Sequence, residues 1–218
     1  MSKESRPRRG SLQFYPRKRT AKVLPSVNWS TISSKSPGLL GFIAYKAGMT
    51  TALVKDTTDK VMTMGKQITL PVTVLEVPNM KIYSVRFYKH GQVIQETVVS
   101  HDKELKRVIK APKQIKHLDK VPADYDDLRV ILYSIPKQTS VKKTPDIIEV
   151  AVQGDNKLEY VKNFVGKEIS LEDLPKFDLL DVRGVTKGKG LVGPVKRFGL
   201  TLKAHKTEKG IRRPGSLG

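Results

Sequence analysis

Residues 68–78 read ITLPVTVLEVP. In an extended chain Ile68, Leu70, Val72 and Val74 fall on one face and Thr69 and Thr73 on the other, the period-two alternation of a half-buried β-strand. A strand is therefore expected over 68–78, and its neighbours on both sides read the same way. Upstream, residues 39–45 (LLGFIAY) suit a strand, Lys46-Ala47-Gly48 a turn, and residues 49–54 the returning strand. Downstream, residues 82–88 and 92–99 read as a hairpin around Lys89-His90-Gly91, where Gly91 supplies the positive φ of a tight turn.

The pattern changes after Ser100. Asp102 and Glu104 stand where a helix's first turn favours acids, and Leu105, Val108 and Ile109 share a helical face, so a helix is expected up to Pro112. Residues 128–135 and 147–152 return to strand patterning, with a linker over 137–145 that contains Lys142-Lys143. Asn156 is placed to cap a short helix with Leu158, Val161 and Val165 on one side and Gly166 just past its end. Ser170-Leu171-Glu172-Asp173 resembles a capping box with Asp in the final position. The fold class expected is mainly β with an α+β insertion.

The chain has 218 residues, 41 Lys and Arg against 21 Asp and Glu, and a formal net charge of +20. That excess is not spread evenly. Residues 1–22 carry eight basic residues and one acid, Glu4; residues 183–218 carry ten and one acid, Glu208. The body between them is near neutral, with 23 basic residues and 19 acidic ones. Two cationic arms repel themselves and contribute nothing to a fold. A polyanion reverses the balance, because each phosphate neutralised by Lys or Arg releases condensed counterions.

In the first arm the candidate phosphate contacts are Arg6, Arg8, Arg9, Arg17, Lys18 and Arg19. Phe14 and Tyr15 interrupt that run, either to stack on bases or to pin the arm to the body. In the second arm the candidates are Lys187, Lys189, Lys196, Arg197, Phe198 and Lys203, followed by His205, Lys206, Lys209, Arg212 and Arg213. Lysines serve as point charges, whereas the arginines also fork and stack. RNA is favoured over DNA, since no module for reading a major groove is visible. A binder of other nucleic acids or of acidic partners is the alternative the arms leave open.

Other chemistry finds little support. Without cysteine the chain has no disulfide, no Cys-ligated zinc or iron–sulfur site and no thiol nucleophile. Gly188-Lys189-Gly190-Leu191-Val192-Gly193 matches G-x-G-x-x-G, but Pro194 and Gly199 follow at once and argue against the dinucleotide-binding helix that motif requires. None of the four histidines stands in a metal-ligand spacing with another, and Asp124-Tyr125-Asp126-Asp127 lacks the glycine and final glutamate of a calcium loop. No cofactor, metal or catalytic residue is expected. No apolar stretch approaches the ~18 residues of a membrane span, and no secretory leader or membrane partner is expected.

Four blocks of the sequence carry a resemblance. They are Arg6-Pro7-Arg8-Arg9-Gly10-Ser11-Leu12 with Pro16-Arg17-Lys18-Arg19; residues 41–50 (GFIAYKAGMT); Lys142-Lys143-Thr144-Pro145-Asp146 with Glu149 and Gly154; and residues 181–190 (DVRGVTKGKG) with 193–199 (GPVKRFG). In that order they resemble ribosomal protein L3 of the large subunit, universal name uL3, of the archaeal and eukaryotic type. Ala44 stands where that family usually has Gly, Thr51 where His is common, and Gln13 where Gly is frequent.

The resemblance implies a translation-protein-type β-barrel with basic extensions that run through large-subunit rRNA, the second toward the peptidyl transferase centre. It adds Lys46 to the candidate RNA contacts. It implies a cytoplasmic, ribosomal protein that is not an enzyme, with rRNA and neighbouring large-subunit proteins as partners. It divides the chain into an N-terminal extension (1–37), a barrel part (38–99), a helical insertion (100–136), a β/α return to the barrel (137–185) and an rRNA-penetrating extension (186–218). The family's C-terminal half is not in this sequence, so an incomplete barrel is expected, with a separate polypeptide as one way to complete it.

Overall fold

The structure is a computed structural model, and it describes residues 11–34, 36–110, 112, 114–115, 118, 120–175 and 179–216. The chain divides into two units. One is formed by Ser26–Asp181, the other by Met1–Pro25 together with Val182–Gly218.

The first unit is mainly β, with antiparallel strands. Its five-stranded sheet runs β1 (Gly38–Leu39), β7 (Ile147–Gln153), β6 (Asp127–Ser134), β4 (Met80–Lys89), β5 (Gln92–Val98) in spatial order. The central strands are the most buried of the described strands longer than two residues. Val85, Phe87, Leu128, Val130, Leu132 and Val150 are fully buried, each such side chain contributing roughly 1.5–3 kcal/mol by leaving water. The expected hairpin is present: Lys89 pairs with Gln92 across His90 and Gly91, whose φ values of 50° and 75° give the two positive-φ positions of a type I′ turn.

A ribbon of two strands, β2 (Tyr45–Lys55) and β3 (Gln67–Glu76), forms a separate sheet. Here two expectations are corrected. Lys46-Ala47-Gly48 makes no turn; β2 runs straight through it with a β-bulge between Lys46 and Gly48. The reason is the length of β3, which pairs with β2 from Lys55↔Gln67 to Tyr45↔Glu76, skipping only Ala47 at the bulge, and holds β2 extended throughout. The apolar face of residues 68–74 is not well buried: Leu70 is 44% and Val74 46% exposed, because β3 pairs with β2 alone. Among the described residues no strand closes either sheet into a barrel.

The expected helix after Ser100 is also corrected. Lys103–Arg107 forms a single 3-10 helix of five residues. Leu105 alone of its apolar residues is buried, while Val108 is exposed. The acids intended for a first turn are drawn into tertiary contacts instead: the Tyr133 hydroxyl donates to Asp102, and Glu104 pairs with Lys137 at 2.5 Å.

Helix α1 (Lys157–Phe164) occupies its expected place and buries Val161, with Gly166 at φ 79° just beyond it. Asn156 precedes it without a side-chain cap bond. Asp173 accepts both the backbone N–H and the hydroxyl of Ser170, at 2.8 and 2.9 Å, but the segment forms turns and no helix.

Two polar features hold the body together. Trp29, upstream of β1, is buried, and its indole N–H donates to the Glu149 carbonyl at 2.9 Å. The Tyr45 hydroxyl donates to Asp146 at 2.6 Å and lies 2.8 Å from the Ser134 hydroxyl; Lys142 completes the group, 2.7 Å from Asp146. Burial, then the Asp146 carboxylate, push the Tyr45 phenol well above its ordinary range. This cluster fixes the base of the ribbon to the end of β6.

Candidate nucleic-acid interface

The two arms are 180 residues apart in sequence and belong to one unit. The local chemistry of each explains how they meet. Ser11 caps a 3-10 turn (Leu12–Phe14) by accepting the Gln13 N–H at 3.2 Å. The chain then presents Arg17, whose guanidinium carbon lies 5.2 Å from the centroid of the Tyr15 ring, a cation–π geometry. From there Nη1 of Arg17 donates to the Arg197 carbonyl at 3.3 Å.

On the other side, Gly193 and Pro194 open a short helix, α2 (Pro194–Phe198). Proline suits this first position, where no N–H partner is needed. Lys196 and Arg197 occupy its last turn, and Gly199 ends it in the left-handed region at φ 65°. The Arg197 carbonyl is at the open end of that helix, where carbonyls lack intrahelical partners, and Arg17 fills the vacancy. The G-x-G-x-x-G glycines thus lead into a helix of only five residues, too short for a dinucleotide fold.

Beyond α2 the chain doubles back: the Lys203 N–H donates to the Ile211 carbonyl at 3.2 Å. Between them Thr207 closes a turn on the Ala204 carbonyl through its N–H (3.0 Å) and hydroxyl (2.7 Å), which carries His205 and Lys206.

Of the candidate contacts, Lys18, Arg19, Lys187, Lys189, Lys196, Phe198, Lys203, His205, Lys206, Lys209, Arg212 and Arg213 are exposed. Arg17 and Arg197 are half-buried, being the pair that joins the arms. Arg6, Arg8 and Arg9 lie outside the described residues. Lys46 is exposed on β2, in the other unit. No carboxylate lies within 4.0 Å of Lys196, Arg197, Lys203, Arg212 or Arg213 among the described residues. The unit as a whole holds 18 basic residues against Glu4 and Glu208. With so few acids in the unit, its described and exposed cations form a surface suited to a polyanion. Sequence reasoning found these residues but not their union, since no local signal links positions 17 and 197.

The acidic run at 124–127 has a structural use. Asp124 pairs with Lys89, Asp126 accepts the His90 N–H at 2.7 Å, and Asp127 binds Lys157 and Arg129. Among the described residues no group of His, Asp or Glu is arranged to hold a metal ion, and no helix is long and apolar enough to cross a membrane.

The sequence profile of the family described as ribosomal protein L3 matches residues 1–110 and 96–218. The chain belongs to the ribosomal protein L3 family. It is 38% identical over 238 residues to the large ribosomal subunit protein uL3 of Pyrobaculum calidifontis, covering 99% of this chain and 70% of that protein. Its similarity to uL3 of Methanococcus vannielii is 39% over 233 residues, with the same coverage. To uL3 of Methanocaldococcus jannaschii it is 35% over 232 residues, covering 98% of this chain and 69% of the relative. The L3 membership spans both units, so the basic arms and the β body are parts of one family design.

Proposed function

We propose that this chain is a structural constituent of the large ribosomal subunit, binding large-subunit rRNA rather than catalysing a reaction. The observation that carries this reading is the union of both arms in one unit with 18 basic residues and two acids, within a member of the L3 family. Its place is the cytoplasmic ribosome, its further partners are neighbouring large-subunit proteins, and its role is to support subunit assembly and the architecture near the peptidyl transferase centre. The RNA contacts are the cations of the two arms, with Arg17 and Arg197 holding those arms in register, and Lys46 on β2.

A separate polypeptide that supplies further strands is part of the same proposal. Its support is the β2–β3 ribbon, which pairs with no other described strand and leaves Leu53, Leu70 and Val74 exposed. Sucrose-gradient fractionation of cells expressing tagged protein tests both parts. Co-sedimentation with the large subunit through a moderate-salt wash is expected, together with a chain related to the rest of L3. Recovery only at the top of the gradient refutes the ribosomal role.

A further inference from the structure

The body has its own cluster of unmatched cations, separate from the arms. Lys103 and Lys106 lie three residues apart on the 3-10 helix, which places them on one side because that helix repeats every three residues. Arg107 follows, and its Nη1 donates to the Lys143 carbonyl at 3.1 Å, drawing the 137–145 linker against this segment. Lys137 and Glu104 tie the same two segments together at 2.5 Å. Leu105, fully buried, roots the turn in the core. Lys103, Lys106, Arg107, Lys110 and Lys143 are all exposed.

Elsewhere in the body many cations are matched, although exposed lysines such as Lys55, Lys66 and Lys162 have no carboxylate within 4.0 Å among the described residues. Lys81, Arg86, Lys89, Arg129, Lys142 and Lys157 each have a carboxylate within 4.0 Å. Around the turn the acids are already engaged: Asp102 with Tyr133 and Lys81, Glu104 with Lys137. No carboxylate lies within 4.0 Å of the five outward cations among the described residues. Gathering like charges without counter-charge disfavours the fold, and a phosphate chain removes that cost with release of its counterions. Lysine is depleted at protein–protein interfaces, whose anchors are aromatic, and none of these five cations is accompanied by an aromatic side chain on its own segment.

We infer that Lys103, Lys106, Arg107, Lys110 and Lys143 form a second phosphate-binding patch, on the body, that grips an RNA backbone independently of the arms. The inference rests on the RNA-binding reading above. It assigns the body, which is nearly neutral overall, a direct part in binding: the turn and the linker present one cationic surface only after the fold has brought them together.

The test is amine acylation of the full chain, with and without deproteinised large-subunit rRNA, read by mass spectrometry. RNA is expected to slow acylation of Lys103, Lys106, Lys110 and Lys143 at least about fivefold. Protection of arm lysines such as Lys196 and Lys203 without protection of these four overturns the patch and leaves the RNA-binding reading standing. Protection of neither set overturns both. The variant Lys106→Glu/Arg107→Glu/Lys143→Glu keeps Leu105 and both acids, and its fold is checked by circular dichroism. Three lost phosphate contacts lower rRNA affinity about 130- to 500-fold at 0.1 M salt, referred to 1 M, and flatten the salt slope by about 2–3 units. Wild-type affinity and slope in a folded variant refute the inference, and the acylation result on the unaltered chain decides the matter where the variant does not fold.

Discussion

Replacing Lys196 and Arg197 together by alanine separates free cations from matched ones. Neither side chain has a carboxylate within 4.0 Å among the described residues, so each is available to displace a counterion from RNA. Each such contact contributes about 0.7 (single strand) to 0.9 (duplex) to the slope of log K against log salt. The double variant therefore flattens that slope by about 1.4–1.8 units. Referred to 1 M salt, where the electrostatic term vanishes, this is a loss of about 25- to 60-fold in affinity at 0.1 M. The Arg17 link survives, because Arg17 binds the backbone carbonyl of residue 197 and not its side chain. The matched control is Lys89→Ala/Lys137→Ala, two cations already held by Asp124 and Glu104, whose loss changes the slope by less than about half a unit. Filter binding to large-subunit rRNA across a salt series measures both. Equal slopes for the two double variants would show that intramolecular pairing does not decide which cations meet phosphate, and would refute the reasoning.

Three further outcomes are expected. Leu105→Ala removes a fully buried side chain and costs about 2–5 kcal/mol in urea unfolding; a cost below about 0.5 kcal/mol would show that the turn is not rooted in the core. Gly38→Ala places a Cβ 2.7 Å from Cγ of Pro175 at φ 134° and destabilises by roughly 1–3 kcal/mol, measured by the same assay and contradicted by wild-type stability. Burial and Asp146 raise the Tyr45 phenol above its ordinary value of 10.0, so the folded state holds that proton more tightly than the unfolded one. The resulting stability is complete below pH 10 and lost as the pH rises beyond it; Tyr45→Phe shows a shallower alkaline decline in pH-dependent unfolding, and an unchanged decline would exclude this contribution.

Several strands were legible from a segment's own pattern, although residues 40–44 of the strand expected over 39–45 form none. The alternation at 68–74 located β3, and the Lys89-His90-Gly91 punctuation located the β4–β5 turn, because both signals are local steric and burial preferences. The turn expected at Lys46-Ala47-Gly48 failed for the opposite reason. Its residues permit a turn, but a long partner strand supplies hydrogen bonds that keep the chain extended. The helix expected at 102–112 failed likewise, since Asp102 and Glu104 found tertiary partners in Tyr133 and Lys137 that a sequence pattern does not show. The burial of Trp29 has no local signal, because it depends on Glu149 and Gly41, both distant in sequence.

Composition by itself determined that this chain has no thiol chemistry, that its charge is concentrated in two terminal arms, and that a polyanion is the partner that charge favours. Those conclusions need only residue counts and Coulomb's law. The tertiary structure decided which cations remain free. Arg17 meets the Arg197 carbonyl across 180 residues, and Arg107 meets Lys143 across 36. Pairing distance is a property of the folded chain, so the body's matched lysines and its unmatched cluster look alike in sequence and differ only once the acids have found their partners.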